Sequence, residues 1–168
     1  MARSSLFDVQ AVADPAQSWN FDLFLPAIPG SSNTSALTYK CMTSALPGFS
    51  MDRVTVPLHG IELIYAGRKT FEHTFSSTFM EASDWSTRSQ FYAWAEATRS
   101  WVNNSGSFAS TYKVNAQLVV YNDLPAVSRT ITVMGMWPAT VADVELDGSA
   151  SNLITLNITW AFDYVTDA

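Results

Sequence analysis

Two histidines, one cysteine and fifteen acidic side chains are the material from which this chain could build catalytic or metal chemistry. Such chemistry needs these groups gathered. A zinc protease places two His four apart on a helix beside a Glu. A phosphate-binding loop needs a glycine-rich turn before Lys, and a hydrolase needs a Ser in a sharp G-x-S-x-G turn. None of these patterns occurs. His59 adjoins Gly60 in a loop-like stretch, and His73 falls in a strand-like one. Glu72 and His73 are neighbours, so on a strand they point to opposite faces and cannot act together. Cys41 is the sole cysteine, which rules out an internal disulfide and a multi-Cys metal site; it reads as a small core residue. The chain is therefore read as no enzyme, with no catalytic residue, no metal ligand and no cofactor. A hydrolase would need a triad assembled from distant residues, and no motif speaks for one.

The composition narrows the class further. At 168 residues the chain fits one domain, and a core of that size folds without disulfide or metal. Charged residues are 14% of the chain, well below the usual ~25%. That poverty of charge fits a surface covered by neighbouring subunits; a Ser- and Thr-rich β-protein would show it too. The net charge of −6 argues against a groove that grips nucleic acid, since phosphate contacts need clustered Lys and Arg. It allows nucleic acid to pass nearby. No apolar run approaches the ~20 residues of a membrane span, and neither a secretory leader nor a myristoylation motif is present. The expectation is assembly in a cytoplasm without membrane insertion.

The elements that would position any site are mostly strands. Residues 1–17 read as an N-terminal arm. Strands are expected over 19–25, 37–46, 70–80, 112–121, 128–137 and 152–164, with a turn over 27–36 and a strand or bend over 141–146. The last strand alternates cleanly. Leu156, Ile158, Trp160 and Phe162 share one face, and Thr155, Asn157, Thr159, Ala161 and Asp163 share the other. In 70–80, Phe71, His73, Phe75, Ser77 and Phe79 oppose Glu72, Thr74, Ser76 and Thr78. Residues 47–69 contain Pro57 and Gly60 between strand-like runs and read as a long protruding hairpin or extended loop. One helix is expected over 83–102, capped by Ser83 or Asp84, with Phe91, Trp94, Ala95, Thr98, Trp101 and Val102 forming its apolar stripe. The fold class is mainly β: a sandwich-like or barrel-like domain, 1–168, with one flanking helix. The six tryptophans mostly occupy apolar sides of these elements, so core packing outweighs a sugar-stacking platform.

Four segments, in order, resemble the tail tube proteins of contractile-tailed bacteriophages. Residues 41–47, CMTSALP, resemble C-x-x-S/T-A-L-P. Residues 66–72, AGRKTFE, resemble A-G-x-R/K-T-F-D/E. Arg88, Phe91 and Trp94 resemble the helix pattern R-x-x-F-x-x-W. Gly135, Trp137 and Pro138 with Ala161, Asp163 and Tyr164 resemble G-x-W-P followed by A-x-D-Y. The resemblance covers residues 41–164.

The resemblance implies a structural virion protein. Its subunits would form six-membered rings whose sheets pair across subunits into a barrel around a channel. Stacked rings would make a tube inside a contractile sheath, driven through the host envelope on contraction. Partners would be further copies, sheath, baseplate and tail-terminator proteins, with the tape-measure protein and later DNA in the lumen. Its place would be the virion tail, after assembly in the host cytoplasm. On this reading Glu72, Thr74, Ser76, Thr78, Thr155, Asn157, Thr159 and Asp163 face the channel. Asp52, Arg53, Leu58, Ile61, Glu62 and Arg68, in the long segment, reach the adjacent ring. The alternatives are a tube or ring protein of a pyocin-like, extracellular or type VI injection system and, from another class, a carbohydrate-binding β-module.

Overall fold

A computed structural model describes residues 16–31, 34–124, 126–149 and 151–167. Most of the expected arm, and Ser32 and Asn33 of the expected 27–36 turn, lie outside these residues. The elements in chain order are β1 (Phe21–Phe24), α1 (Ser35–Lys40), β2 (Cys41–Ser44), β3 (Phe49–Leu58), β4 (Ile61–Phe71), β5 (Thr74–Met80), α2 (Ser86–Thr98), α3 (Ala109–Tyr112), β6 (Val114–Tyr121), β7 (Val127–Val141), β8 (Thr155–Ala161) and β9 (Tyr164–Asp167). Antiparallel pairing gives one sheet in the order β1-β6-β7-β8-β5-β2, with β9 also on β7, and a separate two-stranded sheet of β3 and β4.

The long strand β7 organises the body. Its first half pairs β6 and β9, and its second half pairs β8. The strands β8 and β9 run one after the other along the same side of β7, interrupted at Phe162 and Asp163, where the Asp163 N–H donates to the Met134 carbonyl. Opposite that interruption β7 carries Gly135 at φ +67°. The irregularity changes parity. Ile131 and Val133 are buried before it, Met136 and Pro138 after it, and across from them burial passes from Val165 to Phe162, Trp160, Ile158 and Leu156. A bulge inserts one residue, bends the strand and lets both halves keep their apolar side inward. A Cβ at Gly135 would stand 2.7 Å from the Asp163 Cγ, so the glycine is required there twice, for its dihedral and for space. Lys113 meets Asp163 at 2.6 Å, and the Asn115 side-chain carbonyl accepts the Gly135 N–H. These contacts are the physical content of the G-x-W-P … A-x-D-Y pattern.

The helix α2 packs on the buried face of the main sheet. Phe91 and Trp94 are fully buried and meet Trp160 at ring-centroid distances of 5.6 Å each, with Phe79 5.0 Å from Phe91. Trp160 donates its indole N–H to Ser77, and Trp94 donates to the Tyr112 carbonyl, so neither buried indole is unsatisfied. The helix is shorter than the expected 83–102. Trp101 and Val102 lie beyond it and are exposed, because the chain turns at Arg99 into extended backbone. Its start also differs. Trp85 holds the capping position with φ +57°, and Glu81 supplies the carboxylate, accepting the N–H groups of Thr87 and Arg88 at 3.0 and 2.8 Å. Asp84 accepts from Ser86 N–H; the Ser86 side chain first, and then its backbone N–H, hold the Asp84 carboxyl below the ordinary value.

Other expected elements shift. The 37–46 strand is replaced by α1 followed by a four-residue β2. Leu37 and Thr38 are buried side by side, a helical pattern that an alternating strand cannot give. The 70–80 strand breaks at Glu72 and His73, where His73 takes φ +56°. The 19–25 strand begins at Phe21, leaving Trp19 70% exposed. The 112–121 strand begins only after α3, the described residues 142–149 and 151–154 form no strand, and the 152–164 strand is divided between β8 and β9. Of the tryptophans, Trp94 and Trp160 are core, while Trp19, Trp85 and Trp101 are exposed.

Candidate functional site

Two surfaces stand out, a polar wall on the outward side of the main sheet and an apolar face on the β3–β4 hairpin. The wall follows from register. Thr74, Ser76, Thr78 and Met80 pair with Ala161, Thr159, Asn157 and Thr155. Directly paired residues share a face, and the neighbours on the other face, Phe75, Phe79, Leu156, Ile158 and Trp160, are core. Thr74, Ser76, Thr78, Thr155, Asn157 and Thr159 are thus brought together, and Thr78 donates to the Asn157 carbonyl at 2.9 Å. The other two expected members lie outside the paired rows of β5 and β8. Glu72, in the link between β4 and β5, borders a crevice with Thr74, Ser76 and Thr159 of the wall, and lies beside Gly48 and Ser50. Asp163 sits at the bend, ion-paired with Lys113.

The wall is wider than the sequence pattern showed. Thr43 pairs with Thr78 and Thr140 with Thr159. On the first half of β7 the row Gln117–Thr132–Thr166 continues it. Apart from Met80, Ala161 and Phe24, which pairs with Gln117, the residues of these rows carry hydroxyl or amide groups, and none is charged. Their signal was the alternation of Thr130, Thr132 and Gln117 with apolar partners, readable once the pairing is known.

The hairpin departs from the body differently. Its strands pair from Phe49–Phe71 at the base to Leu58–Ile61 at the tip. Between tip and bulge, Val54–Tyr65, Val56–Leu63 and Leu58–Ile61 are cross-strand partners on one face. All six are apolar, and five are exposed by 39–66%. Arg53–Ala66, Thr55–Ile64 and Pro57–Glu62 occupy the other face. At the bulge Asp52 is opposed by Gly67 and Arg68, and a Cβ at Gly67 would come within 3.0 Å of the Asp52 backbone oxygen. Below it, Lys69 lies 3.9 Å over the Phe49 ring, and Ser50 and Thr70 share a 2.9 Å hydrogen bond. Of the six residues expected to reach a neighbour, Leu58 and Ile61 cap the apolar face. Arg53 and Glu62 are on the mixed face, with Asp52 and Arg68 at the bulge. Val54, Val56, Leu63 and Tyr65 were missed, although their alternation is plain in the sequence.

Nothing in the geometry favours catalysis. His73 Nδ1 is 3.1 Å from the Phe162 carbonyl oxygen, and its ring packs between Phe71 and Phe162. Burial, then the charge of Asp22, pushes the Cys41 thiol up to about 12, so it stays protonated. Among the described residues no three His, Cys, Asp or Glu gather in a way that could hold a metal, and no helix is long and apolar enough to cross a membrane.

The family profile described as "Phage tail tube protein" matches residues 2–166. The chain belongs to the phage tail tube protein family. It is 28% identical over 130 residues to tail tube protein gp19 of Enterobacteria phage T4, covering 76% of this chain and 79% of the relative. The same figures hold for tail tube protein gp19 of Enterobacteria phage T6. Among solved structures, the fold is similar to the tube-terminating cap of the anti-feeding prophage, with TM-score 0.66, 15% identity, and 94% and 93% of the two chains covered. It is also similar to a chain of the PVC sheath–tube complex in the extended state, with TM-score 0.64, 14% identity and 99% of each chain covered. As a tail tube protein the chain is a structural component of a virion tail rather than an enzyme, and its β-rich fold is the one expected.

Proposed function

We propose that this tail tube protein forms six-membered rings that stack into the inner tube of a contractile tail. Copies meet laterally through the exposed edges of the sheet and axially through the β3–β4 hairpin. The polar wall faces the lumen, which holds the tape-measure protein during assembly and later passes DNA. Sheath surrounds the tube, baseplate starts it and a terminator ends it. Assembly takes place in the host cytoplasm, and sheath contraction drives the finished tube through the envelope.

The observation that carries this reading is the exposed apolar face of the hairpin. An isolated two-stranded hairpin is marginal in water, and an apolar patch of this kind marks a protein-contact surface. A second layer supplied by another copy gives it both burial and order. The wall supports the channel role, because a surface of hydroxyls and amides offers DNA phosphate no cation to hold. Negative-stain microscopy of the purified protein is the direct test. Tubes of uniform diameter with six-fold end views are expected, and a hairpin shortened across residues 52–68 should leave folded subunits that do not stack. A protein that stays monomeric at every concentration would overturn the reading.

A further inference from the structure

The hairpin and the densest acidic stretch of the chain lie at opposite ends of the same strand pair. Both hairpin roots are at the Thr74–Ala161 end of β5 and β8: β4 finishes at Phe71, and the Ala45 N–H reaches the Ser76 carbonyl just before β3. The loop joining β7 to β8 is at the Met80–Thr155 end, where the Ala142 N–H binds the Asn157 carbonyl and the Glu81 N–H binds the Ile154 carbonyl. Seven residues of strand separate these ends, roughly 20 Å at the strand rise. Within one molecule the hairpin roots and the loop stand apart, and no hairpin residue lines the crevice of the loop. In copies stacked along the strand direction they face each other.

Their chemistry matches. The loop carries Asp143, Glu145 and Asp147 within five residues, and residues 142–153 hold no Lys or Arg. Neither of the two ion pairs found among the described residues involves these acids. Asp147 accepts from Ser149 instead, an interaction that lowers its pKa and keeps it charged. Leu146 and Leu153, each about 70% exposed, flank a crevice of about 700 Å³ between residues 142–148 and 152–157. The hairpin presents Arg53, on the face opposite its apolar ladder, and Arg68, at the bulge, both also outside those ion pairs, with Asp52 and Glu62 as the acidic groups among them.

We infer that the β3–β4 hairpin of one copy seats on the β7–β8 loop of the copy in the next ring, its Arg53 and Arg68 against Asp143 and Glu145 and its apolar tip against Leu146 and Leu153. Donor and acceptor surfaces differ, so the contact is heterologous. Such a contact does not close on itself and propagates as an open stack. It rests on the tube reading and names the partner surface that reading leaves open.

Charge reversal tests it. Asp143→Lys with Glu145→Lys, and separately Arg53→Glu with Arg68→Glu, should each cut the tubes pelleted at physiological salt by at least about tenfold, because like charges meet at the seam. The four substitutions combined should restore most of the yield, and raised salt should narrow the gap between each pair and wild type. Either pair assembling like wild type, or a combined variant no better than the pairs, overturns the inference while wild-type tubes keep the tube reading intact. Absence of wild-type tubes would instead remove the reading beneath it. Should a charge variant lose its cooperative melt, crosslinking decides. Arg53→Cys with Glu145→Cys in a Cys41→Ser background, treated as tubes with a flexible bis-maleimide, should give ladders longer than six subunits. Ladders that stop at a closed six, or no crosslink, would overturn it.

Discussion

Leu156, Ile158 and Trp160 on β8, and Val56, Leu58 and Leu63 on the hairpin, obey the same period of two and end in opposite surroundings. The first three are fully buried beneath α2 and the facing strands. The hairpin residues lie on a separate two-stranded sheet, where Leu58 and Leu63 are exposed among the described residues. Alternation makes one face of a strand apolar, and it says nothing about what covers that face. In the body the cover is intramolecular. In the hairpin the described residues leave that face open to solvent. The wall is the third case, a face built to stay polar.

Substitutions break this comparison in order of size. Trp160→Ala should have the greatest effect. It removes the ring that Phe79, Phe91 and Trp94 all touch, and a loss of about 3–5 kcal/mol is expected in denaturant unfolding of the subunit. Measured losses below 1 kcal/mol would mean that the helix and sheet are not held by this cluster. Gly135→Ala comes next, at about 1–3 kcal/mol for the positive dihedral alone, with displacement of Asp163 added. Its test is the melting temperature together with the Lys113→Ala variant, which should change little further once Asp163 has moved.

Ile61→Ser with Leu63→Ser separates the two regions. Subunit stability should stay within about 0.5 kcal/mol, as for exposed positions, whereas tube formation should fail by microscopy. A large drop in subunit stability would show that the hairpin's apolar face is covered within the chain after all. The smallest effect on folding is expected on the wall. Thr155→Lys, Asn157→Lys and Thr159→Lys should leave melting and tube assembly nearly unchanged while slowing DNA ejection, since each ring would then line the path with cations. Ejection at the wild-type rate would place this face away from the lumen.

Much of the architecture is written locally. The alternation of 155–162, the Phe91–Trp94 stripe and the hairpin around Pro57 and Gly60 are patterns of period two or 3.6 that survive any tertiary context. The family segments were legible for the same reason, being short and contiguous. The wall was half legible. Faces were assigned by counting along 70–80 and 152–164, and the count holds only where the strand is unbroken. Glu72 and Asp163 lie past the breaks at His73 and at the Gly135 bend, outside the paired rows of β5 and β8, so counting alone does not fix their face.

The sequence by itself determined which strand faces needed burial and where the one long helix would form. Tertiary structure alone decided the rest. It decided that Glu81, six residues before Thr87, reaches the start of α2, because a carboxylate can satisfy a helix's free N–H groups from any place that brings it near. It decided that Trp101 and Val102 leave the core, because the chain turns before their place in the stripe. It also set the acidic loop and the hairpin at opposite ends of one strand pair. Local periodicity fixes the direction of a side chain relative to its own backbone, and only the pairing of distant segments fixes what that direction meets.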